Sequence, residues 1–430
     1  MHYHLTSFGC QMNDHDAERI CALLEDEGLT RVAEPGDADV LVYNTCTVRR
    51  SADERFEGHL GEAARLKSAD PKRLVVVTGC LPQIERGALF EHYPVVDLAV
   101  GPQNLHRLTE ALRHHDRRGY FDETEAFSGD LPSRRERPFQ AWIQIMSGCS
   151  NACAYCIVPL ARGPERSRGA HSIVSEVRDL CANGVLEITL LGQNVNAYGR
   201  DLPGGGCRPD FADLLRTLDA TEGLARIRFT TSHPKDLSDE LIEAMATLPT
   251  VCEHIHLPAQ SGSDRMLAAM GRGYTMEWYV GRVEALRAAV PDIAVTTDLM
   301  VGFPGETEAD FEETLALVER AGFDAAFTFV FSARPGTPAA ALPHPVAPEI
   351  ARARIQRLVA ATQRQAAQRR RSLVGKRLEI LVEGPSRDGA LLRGRSRQNV
   401  TVNFEGQAAP GSLAAVSITA ATSTTLRGRA

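Results

Sequence analysis

The constraint that most narrows the fold of this chain is an alternation. Up to about residue 110, apolar strand-like runs end at Phe8, around Tyr43 and at Thr78, and helical patterns near Asp14–Glu27 and Ser51–Leu66 lie between them. Strands separated by helices are joined by crossovers, so the pattern predicts an open parallel α/β sheet. Each run leads straight into a cysteine, in Phe8-Gly9-Cys10, Asn44-Thr45-Cys46 and Thr78-Gly79-Cys80. Parallel sheets bind ligands at the carboxyl ends of their strands. The three thiols are therefore expected on one edge as a metal-cluster ligand set, the alternative being that they are small buried residues. Cys21 sits inside the first helix beside Ile20, Leu23 and Leu24, where core packing is expected.

A second cysteine group follows the apolar run Ala141-Trp142-Ile143-Gln144-Ile145-Met146. It reads Ser147-Gly148-Cys149-Ser150-Asn151-Ala152-Cys153-Ala154-Tyr155-Cys156. Thiolates spaced this closely can wrap one iron–sulfur cube. Three ligands for four irons leave one iron open for a small molecule, the distinction that separates open catalytic metal sites from closed structural ones. A zinc knuckle would want a fourth ligand at short spacing, and none follows; scattered core cysteines are the other alternative. Cys181, Cys207 and Cys252 have no partner at ligand spacing and receive no role.

Between the two groups, residues 128–138 combine turn formers with charge and read as an exposed linker. Beyond it, six strand-like runs (near 141–146, 187–192, 226–231, 254–257, 294–301 and 325–331) alternate with five helical patterns (near 173–183, 210–220, 238–248, 276–290 and 308–321). Six units fall short of the eight of a closed barrel, so a partial (β/α)6 barrel is expected. Its strands end in polar loops. Gln193 and Asn194 lie in Gly192–Asn196, Ser232 in Thr231-Ser232-His233-Pro234, and Gln260 in Pro258–Ser263. Asp298 is on strand five, which ends at Gly302 and Glu306. Amides, hydroxyls and carboxylates around one mouth suit a polar cofactor, and these seven residues are the candidate cofactor contacts. His254 and His256 alternate on one strand face and are expected to be satisfied histidines of the barrel interior.

The formal net charge is −7, and ten cysteines in 430 residues are sparse. That composition excludes a disulfide-dense secreted scaffold. The N-terminus lacks the basic start and apolar stretch of a signal peptide, and no run of 18 apolar residues exists. A reducing cytoplasm is the expected location, with no membrane association. RNA contact would need local cations. Arg162, Arg166 and Arg168 follow the second cysteine group. Between Ala351 and Arg377 there are nine Lys or Arg and no acid, including Arg369, Arg370 and Arg371 in a long helix expected from about Pro348 to Leu373. Such blocks neutralise phosphates with little sequence preference. From 377 onward, short β runs at Arg377–Glu383, Leu391–Arg397, Val400–Phe404 and Ser412–Thr419 fit a small antiparallel barrel of the oligonucleotide-binding type. Arg393 and Arg395 lie on it, and Phe404 is its only aromatic, so backbone gripping rather than base stacking is expected.

The sextet Phe8-Gly9-Cys10-Gln11-Met12-Asn13, with Asn44-Thr45-Cys46, Thr78-Gly79-Cys80 and the run at 149–156, resembles the methylthiotransferase family of radical S-adenosylmethionine enzymes over essentially the whole chain. The likeness implies three domains: 1–125 with an auxiliary [4Fe-4S] cluster on Cys10, Cys46 and Cys80; a radical S-adenosylmethionine core at 139–372, after a linker at 126–138, with its [4Fe-4S] cluster on Cys149, Cys153 and Cys156; and a TRAM-like RNA-gripping barrel at 373–430. S-adenosylmethionine would serve as methyl donor and as radical source. The tRNA branch that acts on dimethylallyladenosine at position 37 is the one the sextet most resembles. Branches modifying threonylcarbamoyladenosine or a ribosomal-protein aspartate usually carry a Lys near Gln11-Met12. The target carbon, C2 of the adenine, is unactivated, which is why a radical is needed. The adenine must reach the barrel mouth, so displacement from its stack is expected. A monomer supplied with electrons by a flavodoxin or ferredoxin is the expected arrangement. Outside the enzyme class, a non-catalytic RNA-binding iron–sulfur sensor would not need the ring of polar loops.

Overall fold

The computed structural model describes residues 1–47, 50–114, 117–122, 127, 130–203 and 208–430. Cys207, the first two linker residues and the expected boundary at 125/126 lie outside them. The first domain runs β1 (His2–Ser7), α1 (Gln11–Asp26), β2 (Thr30–Arg31), β3 (Val40–Thr45), α2 (Arg50–Ala69), β4 (Leu74–Gly79), α3 (Cys80–Glu85), α4 (Leu89–His92), β5 (Leu98–Val100), α5 (Leu108–His114) and β6 (Arg118–Tyr120). Its six-stranded sheet has the order β2-β1-β3-β4-β5-β6, with every pair parallel. Strands β3 and β4 are buried along their whole length, as a sheet covered on both faces requires. Three strands beyond those expected, β2, β5 and β6, are at most three residues long. That is too short for a periodic signal.

The central domain comprises β7 (Gln140–Gln144), β8 (Met146–Ser147), α6 (Val158–Arg162), β9 (Arg166–Ser167), α7 (Ala170–Ala182), β10 (Glu187–Leu191), α8 (Phe211–Asp219), β11 (Arg226–Phe229), α9 (Asp239–Thr247), β12 (His254–His256), α10 (Asp264–Ala269), α11 (Met276–Ala289), β13 (Ala294–Val301), α12 (Glu308–Ala321) and β14 (Ala325–Val330). Two parallel three-stranded sheets, β7-β10-β11 and β12-β13-β14, meet through a parallel bridge between Ile227 and Val251. The result is the expected partial barrel. An antiparallel pair, β8 with β9, closes the cysteine loop at its base. One large apolar core unites the helix-facing sides of the strands with α7, α8, α9, α11, α12 and Leu358 of the following helix.

Helix α13 (Pro348–Arg371) leads into β15 (Arg377–Pro385), β16 (Leu392–Ser396), β17 (Thr401–Glu405), β18 (Leu413–Ala421) and β19 (Thr425–Arg429). These close as β15-β16-β17-β19-β18. A closed barrel with an odd number of strands cannot alternate direction all the way round. The β17–β19 pair is accordingly parallel, which corrects the all-antiparallel expectation and adds a fifth strand. The barrel is docked firmly on the central domain. Arg226, fully buried, donates from Nη1 to the carbonyl of Arg395 (2.9 Å) and from Nη2 to Glu379 Oε1 (2.8 Å) and its carbonyl (3.0 Å). Arg228 donates to the carbonyls of Ser396 (2.8 Å) and Arg397 (2.9 Å), while Glu187 holds it from below (2.9 Å). Among the described residues no helix is long and apolar enough to cross a membrane.

Candidate metal and cofactor site

The cysteines at the ends of β1, β3 and β4 do converge. Cys10 caps the N-terminus of α1, Cys46 follows β3, and Cys80 opens α3. A buried amide network ties the three loops. Asn13 Nδ2 donates to Asn44 Oδ1 (3.2 Å) and to the Thr45 carbonyl (2.9 Å), and Asn44 Nδ2 donates to the Asn13 carbonyl (2.8 Å). Thr45 Oγ1 donates to the Thr78 carbonyl (2.7 Å). Gly79 has φ +96°, and a Cβ there would collide with the Thr45 carbonyl; only glycine lets the two strand ends close. A hydrogen bond from Cys46, with the Arg162 charge and the amides of Asn13 and Met12, outweighs burial and pulls the Cys10 thiol down to about 6. Burial raises Cys80 despite the same arginine.

In the second group Cys149 is buried and Cys153 and Cys156 are half-buried. Burial first, then the neighbouring thiols, pushes Cys156 up to about 12 and also raises Cys149. Thiols in this state ionise when a cation compensates them, which couples metal binding to proton release. Donors already point at the sulfurs. Asn151 Nδ2 reaches Cys149 Sγ (3.4 Å), and Arg272 Nη1 reaches Cys153 Sγ (3.3 Å). His233 accepts at Nδ1 from the amide of Lys235 (3.3 Å), which leaves the proton on Nε2, 4.0 Å from Cys153 Sγ. The loop is folded by Gly148, where φ is +79° and a Cβ would sit on the Pro164 carbonyl. Its amide donates to Gln193 Oε1 (2.6 Å).

Among the described residues no three His, Cys, Asp or Glu side chains close on a point at single-ion spacing. A cube spreads its thiolates more widely than a single ion does. The triad at Cys149, Cys153 and Cys156, with an amide N–H and a guanidinium aimed at sulfur, has the donor chemistry of a four-iron cluster short of one protein ligand.

The barrel-mouth loops carry backbone strain where a ligand site is expected: Thr231 and Gln260 have φ +69° and +70°, costly for non-glycine residues and concentrated at functional sites. The seven candidate cofactor contacts divide. Ser232 Oγ is buried without a partner and remains available. Asp298 Oδ1 lies 3.4 Å from His256 Nε2, and the Gln260 backbone bridges β13, its amide donating to the Asp298 carbonyl (2.8 Å). Gln193 positions the cysteine loop, as described. The other three carry contacts within the protein. Asn194 is consumed internally, its Nδ2 donating to Asp236 (2.7 Å) and its Oδ1 accepting from the His233 amide (3.1 Å). Glu306 is buried and takes the Gly302 amide (2.7 Å) and Arg354 (2.8 Å) on Oε2, while its Oε1 is buried without a partner. As expected, His254 and His256 are satisfied, sharing Thr296 Oγ1 at 3.3 and 3.0 Å.

The arginines divide as well. Arg162 and Arg168 are each only 5% exposed. Arg162 pairs with Asp16 (3.3 Å), and Arg168 with Glu176 and with Asp130 (2.9 Å). Their expected contact with RNA phosphates is therefore corrected: both charges are spent inside. Arg166 packs over the Phe127 ring (4.9 Å). In α13, Arg354 pairs with Glu306 and Glu308, Arg357 with Glu308 (2.5 Å) and Glu312, and Arg369 with Asp324 (3.0 Å). Arg370 donates to the Ser423 carbonyl. The basic helix is thus partly a brace, and Arg371 keeps its exposure. Arg393 and Arg395 share Glu383 with Arg137, at 3.4, 3.1 and 3.2 Å.

Several site residues carried no role in the sequence reading: Asn13, Asn44, Asn151, Arg272 and Asn196, whose amide oxygen and nitrogen are both buried and unpartnered. The first three had a visible signal, as amides beside cysteines. Arg272, more than a hundred residues from Cys153, had none. A cavity of about 570 Å3 is lined by Gln11 and Cys21 of the first domain, by Trp142, Thr189 and His254 of the central strands, and by Arg395 and Asn399 of the C-terminal barrel; the six candidate ligand cysteines and the seven candidate cofactor contacts lie outside its lining.

Comparison with known proteins agrees with this layout. Residues 2–101 match Uncharacterized protein family UPF0004, residues 143–318 the Radical SAM superfamily, and residues 371–430 the TRAM domain. Among solved structures, the radical S-adenosylmethionine methyltransferase TsrM from Kitasatospora setae, with cobalamin and a [4Fe-4S] cluster bound, superposes with TM-score 0.58 at 17% identity, covering 79% of this chain and 77% of that one. That likeness establishes the fold. The tRNA-2-methylthio-N(6)-dimethylallyladenosine synthase of Caldicellulosiruptor saccharolyticus is 46% identical over 94% of this chain and 86% of its own length. The synthase of that name from Moorella thermoacetica is 45% identical over 99% and 97%. With such identity from end to end and all three domains in order, the chain belongs to the tRNA-2-methylthio-N(6)-dimethylallyladenosine synthase family.

Proposed function

We propose that this protein is a tRNA methylthiotransferase that places a methylthio group on C2 of N(6)-dimethylallyladenosine at position 37, next to the anticodon. The observation that carries the reading is the presence in one chain of two three-cysteine groups, one at the ends of β1, β3 and β4 and one in the loop that follows β7 and β8. Cys149, Cys153 and Cys156 would hold one [4Fe-4S] cluster, and Cys10, Cys46 and Cys80 a second. With S-adenosylmethionine bound, these groups supply radical activation of an unactivated C–H bond and the methylated sulfur to be transferred.

The chain's own contribution is placement and shielding. Arg272, His233 and Asn151 direct N–H groups at the cluster-ligand sulfurs, where such donors tune reduction potential. Gln193 fixes the loop through the Gly148 amide. Ser232 and Asn196 present buried, unpartnered polar atoms at the barrel mouth, groups that a bound polar cofactor would satisfy. Burial of Cys149 and Cys46 keeps water from the reacting face. The C-terminal barrel, with Arg393 and Arg395, and the exposed Arg371 would grip the RNA backbone, while the base is read at the barrel mouth. An electron donor such as a flavodoxin or ferredoxin would complete the cycle of a monomeric, cytoplasmic enzyme. The test is a reaction of reconstituted protein with anticodon stem-loops that carry or lack the dimethylallyl group. Methylthio product from the prenylated RNA alone supports the reading. Product from a threonylcarbamoylated RNA, or from a ribosomal-protein peptide, with none from the prenylated RNA would overturn it.

A further inference from the structure

We infer that Arg162 is a positioning residue that ties the two cysteine sites together and sets the electrostatics of the site at Cys10, Cys46 and Cys80. The inference rests on the reading that this triad holds a cluster. Helix α6 begins two residues after Cys156 and ends on Arg162, so a single turn of backbone leads from one ligand set to this side chain. The C-terminal end of that turn is anchored twice. The Cys149 amide donates to the Gly163 carbonyl (3.1 Å), and Gln103 Nε2 of the first domain donates to the Arg162 carbonyl (3.0 Å). The guanidinium then turns out of the barrel into the first domain. There it meets Asp16 Oδ2 at 3.3 Å, and its charge acts on Cys80 and Cys10.

Its environment is built for more than one anionic partner. Asp16 is itself buried and held by His15 Nδ1 (3.1 Å), on the helix that Cys10 caps. A buried guanidinium with a single carboxylate is a neutral pair. One whose charge also acts on two neighbouring thiols stands ready for charge on sulfur. Arginine suits the task because its planar fork addresses a carboxylate and a sulfur together, which a lysine ammonium on the same stem does less well. Nearby charge and hydrogen bonds to ligand sulfurs are the levers that set cluster potential. Arg162 therefore stabilises the more reduced, more negative state of this cluster, and Asp16 opposes it.

The experiment uses the full chain with Cys149, Cys153 and Cys156 all replaced by Ala, reconstituted with iron and sulfide, so that only the first-domain site can hold a cluster. Iron content and the midpoint potential by redox titration are read in this background and in its Arg162→Gln, Arg162→Lys and Asp16→Asn derivatives. The expected result is one cluster per chain, a shift to more negative potential in Arg162→Gln, a value near the parent in Arg162→Lys, and a shift to more positive potential in Asp16→Asn. The near-isosteric Asp16→Asn arm retains the test if Arg162→Gln fails to fold. Equal potentials in the parent and the Gln variant, or shifts of the same sign in the Gln and Asn variants, would overturn the inference while leaving the cluster reading intact. No iron in the parent would overturn the cluster reading, and the inference with it.

Discussion

Replacing Arg226 with Met should loosen the C-terminal barrel from the central domain without disturbing the cysteine sites. Arg226 is fully buried and spans the junction with hydrogen bonds to Glu379 Oε1, the Glu379 carbonyl and the Arg395 carbonyl. Removing one partner of a buried ion pair costs about 3–5 kcal/mol, because the other is stranded. The Glu379 side chain is 43% exposed, so water recovers part of that loss, and methionine recovers the packing of the arginine stem. About 2–3 kcal/mol remains, the value of two carbonyls and a half-exposed carboxylate left short of donors. Glu187 keeps Arg228 as its nearer partner, at 2.9 Å against 3.7 Å, so no buried carboxylate is abandoned. The docking equilibrium should therefore shift by about 30- to 150-fold. Hydrogen exchange reads this directly: amides of β11 and of β15 at the junction lose protection by that factor, while those of β3 and β4 in the first domain keep theirs. Protection at β15 unchanged within about twofold would refute the view that these buried arginines hold the domains together.

Other outcomes follow from the same geometry. Cys10→Ala should still cleave S-adenosylmethionine yet fail to transfer sulfur, whereas Cys153→Ala should lose both; equal loss of cleavage in the two variants, measured as 5′-deoxyadenosine released, would contradict separate roles for the two sites. Burial, with help from the Arg228 charge, holds His254 down to about 3. An unfolded histidine takes up its proton near 6.5, so this residue's contribution is complete above that pH and is lost as pH falls from there towards 3, by about 2 kcal/mol at pH 5. A urea midpoint that drops on acidification, and drops less in His254→Gln, is the expected observation; an identical pH dependence in the two proteins would contradict it. Arg371→Ala should lower the salt dependence of RNA binding by about one charge in the slope of log K against log salt. If the slope is unchanged, Arg371 does not contact phosphate.

Legibility in the sequence followed how local each signal was. An apolar strand ending in cysteine is a local pattern, and because parallel strands share a carboxyl edge, three such patterns placed three thiols together without any tertiary knowledge. The Cys149–Cys156 loop was legible for the same reason. Arg162 was not. A cation six residues from a ligand cysteine looks like solvated charge, and its partners, Asp16 and Cys80, come from another domain. The acids that neutralise the basic helix, Glu306, Glu308, Glu312 and Asp324, are likewise remote in the chain. An acid-free run of arginines therefore overstated the free charge. Strand β19, with Leu426 as its only large apolar residue, carries too little alternation to be seen, and its place is set by the need to close the barrel.

Nucleoside mass analysis of tRNA from a strain lacking the gene reads the proposed modification on its own substrate. The expected result is loss of the methylthio group with the dimethylallyl group retained on the same adenosine, restored by the intact gene and not by a Cys10→Ala copy. Unchanged 2-methylthio-dimethylallyladenosine, with the methylthio group missing instead from threonylcarbamoyladenosine, would contradict it.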